Sequence, residues 1–390
     1  MLESQYWWLI AFPIFFGLGW LAARVDIKHV LSETRSLPAA YFKGLNHLLN
    51  GETNRAVEVY VDIAKHHAET VELQFSLGHL FRRRGELERA INMHQKLLER
   101  RELTEAQRQS AQFELAQDFM KAGLFDRAEA LLNELQHSDY ARQARTELLG
   151  MYELEKAWKK AIETAQQLRD DSHSYQHEIA QFYCELAEQS LTRSKKDEAR
   201  AYLAQALETH RQCSRARLLL GEMAMAEQNY TAAIDEWLSL EAQEPHALAL
   251  AMRQLMAAYD ALGRGDEGTT LLLRLLKHYP ELDVMDLAYE RLMSLQGVDA
   301  AYEFVRERMR EHPTMPGLRK VLEAHLLVAP DDQKAELEVI VRLLNDVTRD
   351  QSMYYCRHCG FKTKQYFWHC PACNEWETYP PVRGRKKASA

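Results

Sequence analysis

No Walker A loop, no G-x-S-x-G elbow, no H-E-x-x-H and no dinucleotide fingerprint occurs in this 390-residue sequence. The motifs that ordinarily announce phosphate, acyl, protease or nicotinamide chemistry are therefore missing, and the chain reads as a non-enzyme. Its 16 His residues scatter along helix-like sequence as surface and hairpin-seam positions. Positive charge is also short: 49 Lys and Arg stand against 57 Asp and Glu, a net −8. That balance argues against nucleic acid as a partner. The basic stretch RGRKK, inside a tail at 381–390, is short enough to be a solvated run or to touch anionic lipid. Strand signals are nearly absent. Cysteine is sparse, six in all, and four of the six crowd into residues 356–373. The other two, Cys184 and Cys213, sit in helix-like sequence with no partner nearby and are expected to be buried small hydrophobes.

What is present begins at the amino terminus. YWWLIAFPIFFGLGWLAA, residues 6–23, carries no charge; as a helix it would run roughly 27 Å, against a hydrocarbon core of about 30 Å. Tyr6, Trp7, Trp8 and Trp20 stand where interfacial aromatics anchor a span, and Pro13 is tolerable inside lipid. A cleaved signal peptide is the rival reading, but MLESQ lacks a basic front and small residues are not placed for a cut. Residues 1–23 are expected to be a retained transmembrane anchor, followed by a juxtamembrane linker at 24–36. Arg24 and Lys28 follow the span and nothing basic precedes it, which puts the bulk of the chain on the cytoplasmic side of a bacterial inner membrane.

Residues 37–347 carry an internal period. A first landmark recurs at Gly44, Gly78, Ala116, Leu149, Ala187, Gly221, Met256 and Tyr289, and twelve residues after each stands Ala or, once, Gly. Successive units are 34, 38, 33, 38, 34, 35 and 33 residues apart. Small residues at a helix crossing let two helices approach, while apolar residues at helical spacing, such as Leu77, Phe81, Ile91 and Leu97, fill the seam. Gly51, Gly85, Gly123 and Gly263, each seven residues past the first landmark, suit a left-handed turn. Leu149, Met256 and Tyr289 are not small, and wider or irregular crossings are expected there. The series resembles the tetratricopeptide repeat, and that resemblance implies an all-α solenoid of about eight to nine hairpins whose first helices line a protein-binding groove. Carried onto this sequence, it puts Phe75, His79, Arg82 and Arg83 in the groove, with Phe113, Met120 and Lys121 in the following unit. Guanidinium and aromatic groups of this kind fit an acidic, partly apolar segment; the plainer alternative is that Arg82–Arg84 is a solvated helix end.

The four clustered cysteines, Cys356, Cys359, Cys370 and Cys373, read C-x2-C-x10-C-x2-C. Two such knuckles bring four sulfurs to one tetrahedral centre, and in a reducing compartment thiolates bind metal in preference to forming disulfides. A closed four-sulfur site is structural and leaves no place for a water nucleophile. Zn2+ is the expected occupant, although Fe would fit the same sulfurs. YYCRHCGF followed by WHCPACNEW resembles a rubredoxin-type ribbon over 352–380, with Tyr355, Phe361, Trp368 and Trp376 as its expected miniature core. Tyr354, Phe367 and Trp376 are expected to contact the repeat helices.

Anchor, repeats and ribbon in that order resemble the lipopolysaccharide assembly protein B family over the whole length. The carriers are WWLIAFPIFFGLGW, YFKGLNHLLNGETNRAVEVY and the YYCRHCGF…CPACNEWET ribbon. The resemblance implies an inner-membrane adaptor that limits lipopolysaccharide synthesis by presenting the deacetylase LpxC to the membrane protease FtsH. Two other readings stay open: a scaffold for lipopolysaccharide synthesis or export proteins without a proteolytic role, and an electron-transfer protein with iron in the ribbon. Self-association as a homo-oligomer is compatible with all three.

Overall fold

The computed structural model describes parts of residues 43–59 and then 71–168, 174–280, 282, 284–313, 315–348 and 354–381. The expected anchor, the linker and the basic tail from Val382 onward lie outside the described residues. Among the described residues no helix is long and apolar enough to cross a membrane.

The chain divides into two compact units, residues 1–155 and 156–390. Unit 1 contains α1 (Val71–Arg83), α2 (Leu87–Leu98), α3 (Glu105–Lys121), α4 (Phe125–Glu134) and α5 (Ala141–Leu154). Unit 2 runs through α6 (Trp158–Leu168), α7 (Gln176–Thr192), α8 (Lys196–Thr209), α9 (Ser214–Ala226) and α10 (Tyr230–Leu238). It continues with α11 (Leu248–Ala261), α12 (Gly265–His278), α13 (Met285–Gln296), α14 (Val298–Glu311), α15 (Met315–Val328) and α16 (Asp331–Thr348). Two short strands, β1 (Tyr354–Tyr355) and β2 (Lys362–Thr363), follow as an antiparallel pair with Tyr354 opposite Thr363.

The repeat helices bury the stripes that their sequences offer, whereas α16 leaves Val339, Ile340 and Leu343 exposed. In α1, Leu73, Leu77, Leu80 and Phe81 fall at helical spacing and are buried, as are Ala90 and Leu97 of α2. Thr104 starts α3 with a reciprocal capping box to Gln107, which satisfies donors the first turn leaves unpaired. The landmark residues are the crossings. A Cβ on Gly78 would lie 2.2 Å from His94 Nε2, and one on Gly221 would lie 2.2 Å from Trp237 Nε1. Trp237 is fully buried and donates from Nε1 to Leu218 O at 3.2 Å. Only a missing side chain admits rings that large.

In the hairpin of α11 and α12 the bulky first landmark, Met256, is 2% exposed, and the second landmark is a glycine, Gly268, on which a Cβ would lie 2.9 Å from Tyr259 Cβ.

The turns between helices follow one geometry. Gly85, Gly123 and Gly263 have φ of 75°, 73° and 69°. At the same place in other units the chain uses Lys156, Ser194 and Gln228, at φ 56°, 60° and 59°. The hairpin imposes the left-handed residue whether or not the sequence supplies glycine. Gly51 lies outside the described residues.

Candidate metal centre

The ribbon is built from two knuckles of the same design. In the first, Gly360 N donates to Cys356 O and Gly360 has φ 76°; in the second, Asn374 N donates to Cys370 O and Asn374 has φ 58°. Each C-x2-C is thus closed by a left-handed residue directly after its second cysteine, which turns both sulfurs of the knuckle to one side. The hydrogen bonds Cys356 N to Phe361 O and Cys370 N to Glu375 O, both 2.9 Å, fix the first cysteine of each pair.

The four sulfurs converge, all lying within 4.8 Å of one another. Cys356 and Cys373 Sγ are 3.7 Å apart, as are Cys359 and Cys370 Sγ. A tetrahedral ion with metal–sulfur bonds of about 2.3 Å requires sulfur–sulfur edges of about 3.8 Å, so the residues present fit a tetrahedral thiophilic ion. Burial opposes ionisation of Cys356, but the Cys359 N–H and the Thr378 hydroxyl prevail and hold its thiol down to about 6. Burial and the neighbouring thiols push Cys373 up to about 12. Four thiolates this close repel one another, and a bound cation reverses that balance by ionising all four. Held in this way, an ion would supply folding energy to the ribbon, and no open coordination position would remain for catalysis.

The ribbon's own core differs from the expected one. Cys356, Cys370 and Tyr379 form its buried centre, with Tyr354, Tyr366, Phe367 and Cys373 packed around them. Phe361 is 41% exposed. Trp368 and Trp376 turn outward to the helices, Trp376 as expected, while Tyr354 and Phe367 pack against the ribbon's own cluster.

Within unit 2 the ribbon sits on α7 and α9. The Trp376 ring packs edge-on to Trp158 and Phe182, with centroids 6.0 and 5.8 Å away. Glu377 receives Gln181 Nε2 on one oxygen and meets His177 Nε2 with the other, each at 2.6 Å. Arg215 lies beneath, 3% exposed, with its guanidinium about equally placed under Trp368 and Trp376 at 5.9 and 6.0 Å. Its charge is met by Glu185 at 2.7 Å and Glu188 at 3.0 Å. Cys184 and Cys213 do have a partner, namely each other: both are buried, with Sγ atoms 3.8 Å apart. Of these helix residues the sequence singled out Cys184 and Cys213 alone, as buried small hydrophobes, which they are. The available hint was the aromatic–acidic pair that follows the last cysteine.

The expected groove residues belong to unit 1. Arg82 Nη2 reaches Glu114 Oε2 at 2.5 Å and Nη1 reaches Asp118 Oδ1 at 2.9 Å. His79 Nε2 also meets Glu114, at 2.7 Å, and the other oxygen of Asp118 is 2.5 Å from His94 Nδ1. Burial works against the Glu114 carboxylate, yet His79 and Arg82 outweigh it and hold its pKa to about 2. Arg82 is therefore committed to α3 of its own chain. Arg83 and Lys121 are exposed, Phe75 and Met120 half-buried, and Phe113 is buried against Tyr140 with ring centroids 5.3 Å apart.

Residues 354–381 match the rubredoxin metal binding domain family, and residues 113–175 and 185–249 match the tetratricopeptide repeat family. Helical hairpins in repeat register, ending in a four-cysteine ribbon, define a tetratricopeptide-repeat protein with a rubredoxin-type metal-binding module. The chain is 31% identical over 388 residues to lipopolysaccharide assembly protein B of Escherichia coli (strain K12), covering 98% of this chain and 99% of that one. It is 30% identical over 387 residues to the protein of that name from Haemophilus influenzae, covering 96% and 97%. It belongs to the lipopolysaccharide assembly protein B family. Among solved structures, Naa15/Naa10 bound to HypK-THB covers 80% of this chain and 47% of that chain at 14% identity, with a TM-score of 0.41. A score of that size carries no argument about shape or partners.

Proposed function

We propose that this chain is a non-catalytic adaptor of lipopolysaccharide assembly, held at the inner membrane by residues 6–23 with its repeats and ribbon on the cytoplasmic side. The observation that carries the reading is the match to lipopolysaccharide assembly protein B along nearly the entire length, repeats and ribbon together. Stacked helix hairpins present surface and do not make bonds, which suits a scaffold. In the finer form of the proposal, the adaptor brings the deacetylase LpxC to the membrane protease FtsH. Zn2+ occupies the four cysteines as a structural ion. Phe75, His79, Arg83, Met120 and Lys121 offer the partner-facing side of unit 1, while Phe113, buried against Tyr140, and Arg82, through Glu114 and Asp118, hold that side in place.

The test is the half-life of LpxC in a strain lacking the gene, complemented at native expression with the full chain or with the chain lacking residues 1–23. The full chain should shorten the half-life and the untethered chain should do so far less, because tethering confines adaptor and protease to one thin layer. An unchanged half-life with the full chain would leave a scaffold without a proteolytic role, and full rescue by the untethered chain would remove the membrane from the mechanism.

A further inference from the structure

The contacts that hold the ribbon on α7 and α9 have the make-up of a ligand in a site more than of a domain core. Trp376 takes no part in the ribbon's own buried cluster. Its ring is 9% exposed, stacked on His369 of the ribbon with centroids 4.3 Å apart and edge-on to Trp158 and Phe182 of unit 2 on the side of the helices. The next residue, Glu377, sends its carboxylate to His177 and Gln181. The Trp376 ring and the adjacent Glu377 carboxylate make one arm of the attachment, in the manner of short segments docked on helical grooves, and Trp368, packed against the helical core, makes the other.

The attachment is also strained. Glu377 reaches its partners from a left-handed backbone, φ 49°, which non-glycine residues avoid. Opening would expose two aromatic faces, an amide and an imidazole beside a guanidinium that is 97% buried when closed, since Arg215 is 3% exposed. Such a surface keeps its preference for an aromatic side chain next to a carboxylate.

The geometry points to a peptide-binding site on α7 and α9 that the ribbon closes in cis with Trp376 and Glu377, and that accepts an aromatic–acidic segment of another protein when the ribbon lifts. A free segment carries no obligation to adopt a left-handed residue, so it competes without that penalty. The inference stands on contacts inside unit 2 and does not depend on which proteins the adaptor serves.

The experiment uses the full chain and a labelled peptide, Asn-Glu-Trp-Glu-Thr-Tyr, the sequence of residues 374–379, followed by fluorescence anisotropy. A control peptide has Ala for its Trp and Gln for its second Glu. Lifting the ribbon with the double substitution Trp376→Ala, Glu377→Ala should tighten peptide binding by at least about tenfold over wild type, since a mostly closed site binds with reduced apparent affinity. Adding His177→Ala and Gln181→Ala should return binding to the wild-type level, and the control peptide should not bind. Amide hydrogen exchange in α7 reports opening independently, with Trp368→Ala as a second route to it. Equal binding to wild type and to the lifted chain would overturn the inference. So would absent binding to a lifted chain with native helix content, or α7 exchange that neither set of substitutions raises.

Discussion

Arg82 shows what a single residue can hide. Its place in an Arg-rich helix end was legible, but its partners lie 32 and 36 positions further on, in the next hairpin. Sequence pattern gives faces; it does not give the reach of a guanidinium across two helices. Removing it leaves the Asp118 carboxylate, fully buried, with His94 alone, and Glu114 with His79. Breaking one partner of a buried network costs about 3–5 kcal/mol, and the solvent access of Arg82 puts Arg82→Ala at the lower end. The urea midpoint of unit 1 should fall accordingly, and an unchanged midpoint would show the network to be idle. His177 gives a second residue-scale outcome. The Glu377 hydrogen bond raises its pKa above the ordinary 6.5, against burial, with Glu178 and Cys213 adding to the rise and the His210 ring standing edge-on at 5.6 Å. A raised histidine stabilises the docked ribbon fully below the unperturbed value and loses that contribution as pH climbs through the raised one. Hydrogen exchange in α7 should therefore quicken from about pH 6 to alkaline pH beyond its intrinsic rise, and His177→Gln, which keeps a donor but cannot ionise, should flatten the difference.

At the scale of elements the sequence was far more informative, for a physical reason. A twelve-residue interval between small residues can be read because it encodes a crossing that any large side chain would block, and the described landmarks are buried where the interval put them. The ring that fills each gap could not be read: His94 against Gly78 and Trp237 against Gly221 are cross-helix choices that leave no periodic trace. Nor did the composition reveal that Ser194 and Gln228 take the same left-handed turn as Gly123. These two facts predict opposite outcomes for glycine. Gly221→Ala puts a methyl group 2.2 Å from the Trp237 ring and should destabilise unit 2 by about 1–3 kcal/mol, the usual cost of overpacking. Ser194→Gly or Gln228→Gly relieves a left-handed residue and should stabilise by up to about 1 kcal/mol, part of the gain being offset by the looser unfolded chain. Urea midpoints for the three variants decide the matter, and a loss on Gln228→Gly would show that the side chain holds the turn.

At the scale of the whole molecule, the ribbon is tied to helices of unit 2. Its spacing announced a metal, but its docking was hidden because the residues that bind it are spread over α6, α7 and α9 and carry no motif. A module this small, with two strands of two residues each, cannot bury enough surface to fold without a staple. Its outward pair, Trp376 and Glu377, begins three residues after Cys373, so the position of that pair depends on the knuckle the metal would close. The helices depend on one another instead, since repeat stability is a sum of unit and nearest-neighbour terms. Cys370→Ser should therefore lose the ion, because three sulfurs cannot close the tetrahedron. The ribbon would unfold and release Trp376 from between Trp158 and Phe182, while the far-ultraviolet helix signal changes little. Bound zinc by elemental analysis, helix content by circular dichroism and protection of α7 amides by hydrogen exchange follow the three steps separately. Full zinc occupancy in the variant would contradict a four-sulfur site, and zinc loss with α7 still protected would mean that the ribbon docks without its metal. A collapse of the helix signal would overturn the separation of ribbon from repeats, making the small terminal module a keystone of the helical stack.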